Sequence, residues 1–392
     1  MSSRVSDIPL SLYLHFPWCL SKCPYCDFNS YPFSQSGIAR QELMAAYVKR
    51  LLEDLSFEAK RYQGGELVSI YFGGGTPSLF EVAYFEIILA EIKSKFKVLE
   101  GTEITIELNP GTITGEKIKE LKELGINRFS IGAQSFSDLA LKRLSRIHNS
   151  DQIIRLVGDI RDLGIINFNL DLMYALPGQS IKEALLDVKQ ALGLEPAHVS
   201  WYELTLSDRQ SSWIFKEAIA SEEELDQLER LTKQLFNKSG YDRYELTAYS
   251  NSGLNCLHNL NYWQYGDYVA IGAGAHGKIT YEGHQIERYK KKSNPKDYLK
   301  KGSILIETSE VVAKERVVVE FMLNAMRLYC PIEAELFKSR TGVELVTFKE
   351  VLLLAQSKGL IKLFIENNAD IIKLETTEHG KRFLDDLLEL FV

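Results

Sequence analysis

LSLYLHFPWCLSKCPYC, residues 10–26, carries the pattern on which the fold turns. Leu10–Phe16 is mostly apolar or aromatic, the composition of a strand. Cys19, Cys23 and Cys26 then fall within a single loop, spaced C-x3-C-x2-C. Structural zinc normally takes four ligands from two paired knuckles, and no second knuckle follows. A cubane iron–sulfur cluster held by three thiolates leaves one iron open to an outside ligand. Three readings stand at this point: fortuitous spacing, zinc completed by distant ligands, and the cubane. The loop fits the cubane best.

Outward from this loop, the first 210 residues alternate strand-like runs with amphipathic segments. Strands are expected at Leu10–Phe16, Leu67–Phe72, Glu103–Leu108, Arg128–Gly132, Asn167–Met173 and Val199–Leu204. Between them Arg40–Tyr62, Leu79–Phe96, Glu116–Leu124 and Ile153–Leu163 space apolar residues by three and four, the period of a helix. Gly125, Gly164 and Gly193 stand where helices should end. Such alternation predicts parallel strands with helical crossovers, either a doubly wound sheet or a barrel, complete or incomplete. The polar residues favour the barrel. The cysteine loop follows the first strand and GGGTP (Gly73–Pro77) the second; Glu107, Gln134, Asp171 and Glu203 lie at or near the ends of later ones. A parallel barrel gathers its functional side chains at that face.

Composition narrows the function. The chain has 392 residues, 45% hydrophobic and 25% charged, which excludes wholesale disorder and suggests two or three domains. Forty-six basic against 53 acidic residues give a net charge of −7, the wrong balance for a protein whose main partner is nucleic acid. No run approaches the ~18 apolar residues of a membrane span. Asp7 and Pro9 interrupt the apolar core that a signal peptide needs. Five cysteines (Cys256 and Cys330 are the others) make a poor disulfide framework, so the expected location is cytoplasmic.

Three parts are expected. Residues 1–240 form the α/β core with the cysteine loop. Residues 241–300, rich in glycine and aromatics, close the barrel. Residues 301–392 supply helices at Val311–Leu328, Ile332–Arg340 and Thr347–Lys358, a hairpin, and a last helix from Thr377, a winged-helix-like order. Lacking a basic cluster, that last part suggests packing or docking rather than DNA binding.

The cysteine spacing, Tyr25 before the third cysteine, and glycines after the second strand resemble the radical S-adenosylmethionine superfamily. The resemblance implies a partial (β/α) parallel barrel with a smaller, mainly helical C-terminal domain. It also implies a [4Fe-4S] cluster on Cys19, Cys23 and Cys26, with S-adenosylmethionine chelated at the open iron. Tyr13–Cys19, GGGTP, Glu107–Pro110, Gly132–Phe136 and Asp171–Gly178 narrow it to the branch of the oxygen-independent coproporphyrinogen III dehydrogenases. By that likeness Tyr13, Gly74 and Glu107 would contact the cluster-bound cofactor. Tyr25, Gly75, Thr76, Gln134, Arg146 and Asp171 match positions that hold a second S-adenosylmethionine in the dehydrogenase.

Two features depart from the dehydrogenase. Its pattern continues to a fourth cysteine, where this chain has Phe28, and His258–Trp263 reads HNLNYW. Both are similar to the HemW-type haem chaperones, which are regarded as binding haem and passing it to acceptor proteins. That resemblance implies haem as ligand, an unidentified haem-accepting partner (a membrane-associated one included), and an electron donor such as flavodoxin or ferredoxin. Coproporphyrinogen decarboxylation is the alternative, and no catalytic residue is assigned. His258, beside Tyr262, Trp263 and Tyr265, offers an axial haem ligand among flat rings. The same residues equally describe a buried aromatic corner around a bonded histidine. Cys256 is a second candidate ligand.

Overall fold

A computed structural model describes residues 4–62, 65–205, 220–251, 253–366 and 370–391. Six strands form the centre: β1 (Leu10–Phe16), β2 (Glu66–Gly74), β3 (Lys97–Leu108), β4 (Arg128–Gln134), β5 (Phe168–Tyr174) and β6 (His198–Glu203). They pair in that order, all parallel. Between them lie α1 (Gly37–Tyr62), α2 (Val82–Lys95), α3 (Gly115–Glu123), α4 (Asp138–Arg143), α5 (Ser150–Asp162) and α6 (Ile181–Gly193). Asn149 and Ser180 start α5 and α6 with reciprocal capping boxes.

The strand period of two sorts the chemistry. Leu12, Ile70, Ile106, Phe129, Ile131, Leu170 and Val199 face outward into the main hydrophobic core. Ser11, Ser69, Thr105, Ser130, Asn169 and His198 alternate with them, buried although polar. An apolar shell around a polar interior is the result, and the interior is where a site can form.

The segment 241–300, expected to close the barrel, supplies strands to both edges of the sheet instead. Ala248–Asn251 pairs antiparallel with β6 and with Tyr241–Glu245, the outermost strand on that side. Asp267–Ile271 pairs parallel with β1, and His276–Tyr281, Gln285–Lys291 and Ile306–Val311 extend that edge antiparallel. Among the described residues no pairing joins the two ends of this twelve-stranded sheet. The barrel is a partial one.

A second core follows. Lys314–Ala325, Ala334–Thr341 and Lys349–Ser357 are helices, and Ile361–Glu366 with Asp370–Thr376 form the hairpin, joined by Ile332–Glu333. That order is winged-helix-like. Residues 306–311, whose Ile, Thr and Val favour a strand, belong to the large sheet, and apart from Tyr265 and Ile286 the second hydrophobic cluster draws on the chain from Val312 onward. We propose 312, rather than 301, as the start of the C-terminal domain.

One local expectation changes, and one helix has no counterpart in the sequence pattern. Gly125 and Gly164 follow their helices with φ of 99° and 67°. Gly193 instead remains helical, because Leu194 caps onto Ala191 and Leu192, and the left-handed residue is Glu195 at φ 51°. The six-residue helix α4, started by Ser137, is too short to show a period in the sequence.

Candidate functional site

The inner face opens into a cavity of about 320 Å³. The cysteine loop lies on its wall, together with side chains from β2 to β6. Cys19, Cys23, Cys26, Tyr25, Gly74, Gly75, Thr76, Glu107, Gln134, Arg146 and Asp171 all line it. Tyr13 and His258 stand behind the wall, and Glu203 is exposed, pointing away from it.

The cysteine loop is set from two sides. Cys26 N–H donates to Cys23 O at 3.0 Å, closing a tight turn, and Phe33 N–H donates to Cys19 O at 3.0 Å. Burial, reinforced by its two neighbours, pushes the Cys19 thiol up to about 11. Cys23 Sγ lies 3.8 Å from Arg146 Nη1. Three thiols gathered in one loop suit a polycation, which displaces their protons and binds the thiolates. Among the described residues no three of His, Cys, Asp or Glu close around a single ion. A cubane places each thiolate on a different iron, so this donor set fits it.

Glycine 73–75 makes room along the wall. A Cβ on Gly73 would stand 2.9 Å from the Tyr71 ring and 3.1 Å from Glu107 Oε1. Gly74 has φ 118°, and a Cβ there would meet His15 at 2.7 Å. At Gly75 it would lie 2.5 Å from Trp18 O, backbone against backbone.

Glu107 is held between strands. Tyr71 O–H donates to Oε1 and Gly74 N–H to Oε2, both at 3.0 Å. Burial, and then Asp171, raise its carboxyl to about 7. Asp171, also raised by burial, accepts from Asn169 Nδ2 at 2.8 Å. Gln134 leaves β4 with φ 67° and accepts from Tyr202 O–H at 2.7 Å. Arg146 Nη2 donates to Gly132 O at 2.9 Å. Thr76 donates to Gly75 O at 2.8 Å. The wall thus offers carboxylates and a guanidinium to a ligand carrying both an ammonium and a carboxylate.

His15 is a bonded, neutral histidine. Its Nε2–H donates to Asn29 O and its Nδ1 accepts from Tyr13 O–H, each at 2.9 Å, while burial lowers its pKa to about 4.

HNLNYW forms the helix Leu257–Trp263, laid against β1 and β2. Glu103 accepts from Leu257 N–H at 2.9 Å, from His258 N–H at 3.1 Å and from the Cys256 thiol at 3.5 Å. Asn261 Nδ2 donates to Ser11 Oγ and Asp267 O, each at 2.9 Å. His258 Nδ1 lies 2.9 Å from Ser69 Oγ, and its ring stacks on Tyr71 at 4.7 Å. Burial, with Arg128 nearby, lowers its pKa to about 3. Its ring neighbours are therefore Tyr71 and Tyr13, not the aromatics of its own motif. Tyr265 lies beyond the helix at φ 58° and joins the second core.

Several wall residues escape sequence reading. Tyr71, Arg128, Ser130, Asn169, Ser200 and Tyr202 point inward by strand alternation alone. Taking every second residue of each expected strand, rather than its end, would have found them.

Residues 13–190 match the radical SAM superfamily model. The heme chaperone HemW of Haemophilus influenzae is 42% identical over 388 residues, covering 98% of each chain. That of Escherichia coli is 38% identical over 384 residues, again 98% of each. The chain belongs to the HemW family. A solved coproporphyrinogen III oxidase of Escherichia coli, described as a radical SAM enzyme, shares the fold at TM-score 0.82 and 19% identity. The match covers 99% of this chain and 91% of that one. HemW relatives thus align with the C-terminal domain as well as the barrel. Among the described residues no helix is long and apolar enough to cross a membrane.

Proposed function

We propose that the protein is a haem chaperone that carries a [4Fe-4S] cluster with exchangeable S-adenosylmethionine and passes haem to an acceptor protein. The observation that carries this reading is the likeness to HemW chaperones along 98% of the chain. Cys19, Cys23 and Cys26 would hold the cluster, which would supply one-electron chemistry to a bound sulfonium. Tyr13 and Gly74 would shape the adjoining cofactor pocket, and Glu107 would accept from its ammonium or ribose hydroxyls. Tyr25, Gly75, Thr76, Gln134, Arg146 and Asp171 would take a second molecule, with Arg146 pairing to its carboxylate. The partners in this reading are haem, a haem acceptor (soluble or membrane-associated), and a flavodoxin- or ferredoxin-like electron donor, in the cytoplasm.

The deciding experiment offers anaerobically reconstituted protein haem and, separately, coproporphyrinogen III with S-adenosylmethionine and reductant. Uptake of about one haem per chain, the load of one axial site, with no decarboxylated product, is expected. Catalytic formation of protoporphyrinogen without haem uptake would replace the chaperone by the dehydrogenase. In the same preparations, Cys19→Ala, Cys23→Ala or Cys26→Ala should each abolish the cluster, while Cys330→Ala should keep it.

A further inference from the structure

Resting on the haem-chaperone reading, we propose that haem docks on the inner face of the sheet's antiparallel extension. His276 is its axial ligand, Tyr262 and Tyr268 flank the macrocycle, and Arg288 and Lys290 face the propionates.

The histidines single out the position. The chain has seven. His15 and His198 have both ring nitrogens bonded, His198 to Asn169 Oδ1 and Tyr244 O–H. His148 is buried with Nε2 3.2 Å from Ala133 O. His284 is tied to Ser339 O and pressed against Gly342. His258 is enclosed between Ser69 and Tyr71. Only His276 and His379 are exposed. His379 leans on Phe383 at 4.7 Å, in the C-terminal domain and away from the cavity wall. The His276 side chain makes no hydrogen bond to a described residue, and it lies within electrostatic reach of His15 beside the cysteine loop. A neutral imidazole with a free nitrogen is the form that binds iron.

Strand register supplies the rest. Ser11, Tyr268, Lys278 and Arg288 are partners in one row across four strands. Cross-strand partners project to the same face, so this row continues the barrel's inner surface. His276 pairs with Lys290 in a row two residues on, roughly 7 Å further along the strands. Tyr262 stacks on Tyr268 at 4.8 Å and is 39% exposed, so a flat aromatic edge remains open. Arg288 Nη1 donates to Tyr268 O–H at 3.0 Å and Nε to Glu320 at 2.7 Å, which holds the guanidinium in place and leaves Nη2 free among the described residues. Lys290 is loosely paired to Glu307 at 3.5 Å, with both side chains about a third exposed. A propionate can displace so exposed a pair at little cost.

The location suits a carrier. An axial bond to an exposed imidazole leaves the opposite haem face open, so an acceptor's ligand can bind there before His276 lets go. A haem could reach His258 only by displacing the Ser69 and Tyr71 side chains that enclose it.

The test is a haem titration of full-length, cluster-reconstituted protein, read at the Soret band. His276→Ala is expected to lose the imidazole-ligated spectrum and weaken binding by on the order of tenfold or more. His276→Gly should recover that spectrum when free imidazole is added, and cluster content with circular dichroism verifies folding in each sample. Arg288→Leu combined with Lys290→Ala should weaken haem with its propionates esterified no further than wild type, but weaken free haem. If His276→Ala keeps the wild-type spectrum and affinity, or if His379→Ala or His258→Ala in folded protein loses the spectrum instead, the site is wrong. If wild-type protein takes up no haem at all, it is the chaperone reading that falls.

Discussion

Glu107 sits where a carboxylate is expensive to keep charged. It is enclosed, it shares the cavity with Asp171, and its two hydrogen bonds recover only part of the lost hydration. Its pKa is about 7 in the fold, against an ordinary value of 4.5. A raised folded value means that the fold prefers the protonated acid. Its contribution is therefore complete below about pH 4.5 and is lost as pH rises through about 7. In cofactor-free protein, Glu107→Gln should flatten that loss, gaining about 3 kcal/mol over wild type at pH 8 as an upper bound. Urea midpoints of the two proteins, measured from pH 4.5 to 8, test this by difference, since the raised Asp171 and Asp187 remain in both. Parallel curves would mean that the carboxylate is better solvated than its burial implies. The same variant should bind S-adenosylmethionine more weakly, because the charge that costs stability when the site is empty is what a cationic ligand pairs with.

At the scale of elements, the strand β2 and its glycine turn fix the cysteine loop. Gly75 N–H donates to Phe16 O at 2.7 Å, and the Trp18 backbone crosses directly over the Gly75 Cα. Alanine there would drive a methyl into Trp18 O, and a backbone atom has no rotamer by which to escape. Gly75→Ala is predicted to cost about 1–3 kcal/mol and to displace the segment that carries Cys19. Reconstituted iron per chain should fall sharply while circular dichroism stays that of the folded barrel; full iron content would show that the loop adapts. This turn was legible in the sequence because glycines following a strand state their purpose locally. The cysteine loop and the six parallel strands were legible for the same reason. The helix Leu257–Trp263 was not. His258 and Asn261 read as a ligand-bearing motif, yet their partners Ser69 and Ser11 lie nearly 200 residues or more away, and only register brings them together. Arg128 and Tyr202 were missed likewise, since a polar residue within a strand reveals its inward direction only once the outward face is known.

For the whole molecule, the question is whether the two cores unfold as one. The second cluster is not confined to the C-terminal domain: Tyr265 and Ile286, from the barrel's extension, are members of it. Tyr265 packs edge-on against Phe321 at 6.0 Å and donates to Glu320, which also holds Arg288. Lys278 is buried there too, its ammonium held by Tyr265 O and Asp267. Removing the helix Lys314–Ala325 from this contact would therefore uncover a buried cation as well as apolar surface, which couples the domains more tightly than a wet interface would. Phe321→Ala, at a fully buried ring that also meets Phe337 at 5.2 Å, should cost about 3–5 kcal/mol. Trp18 and Trp201 are buried in the barrel, whereas Trp263 lies under the Arg327 guanidinium of this domain, so in a Trp213→Phe, Trp263→Phe background the fluorescence reports on the barrel rather than on the site of the mutation. If the cores are coupled, the tryptophan transition of Phe321→Ala moves down in temperature together with the calorimetric one. A calorimetric shoulder at lower temperature, with the tryptophan midpoint unmoved, would show instead that the C-terminal domain opens alone, and that Tyr265 and Lys278 tolerate exposure to water.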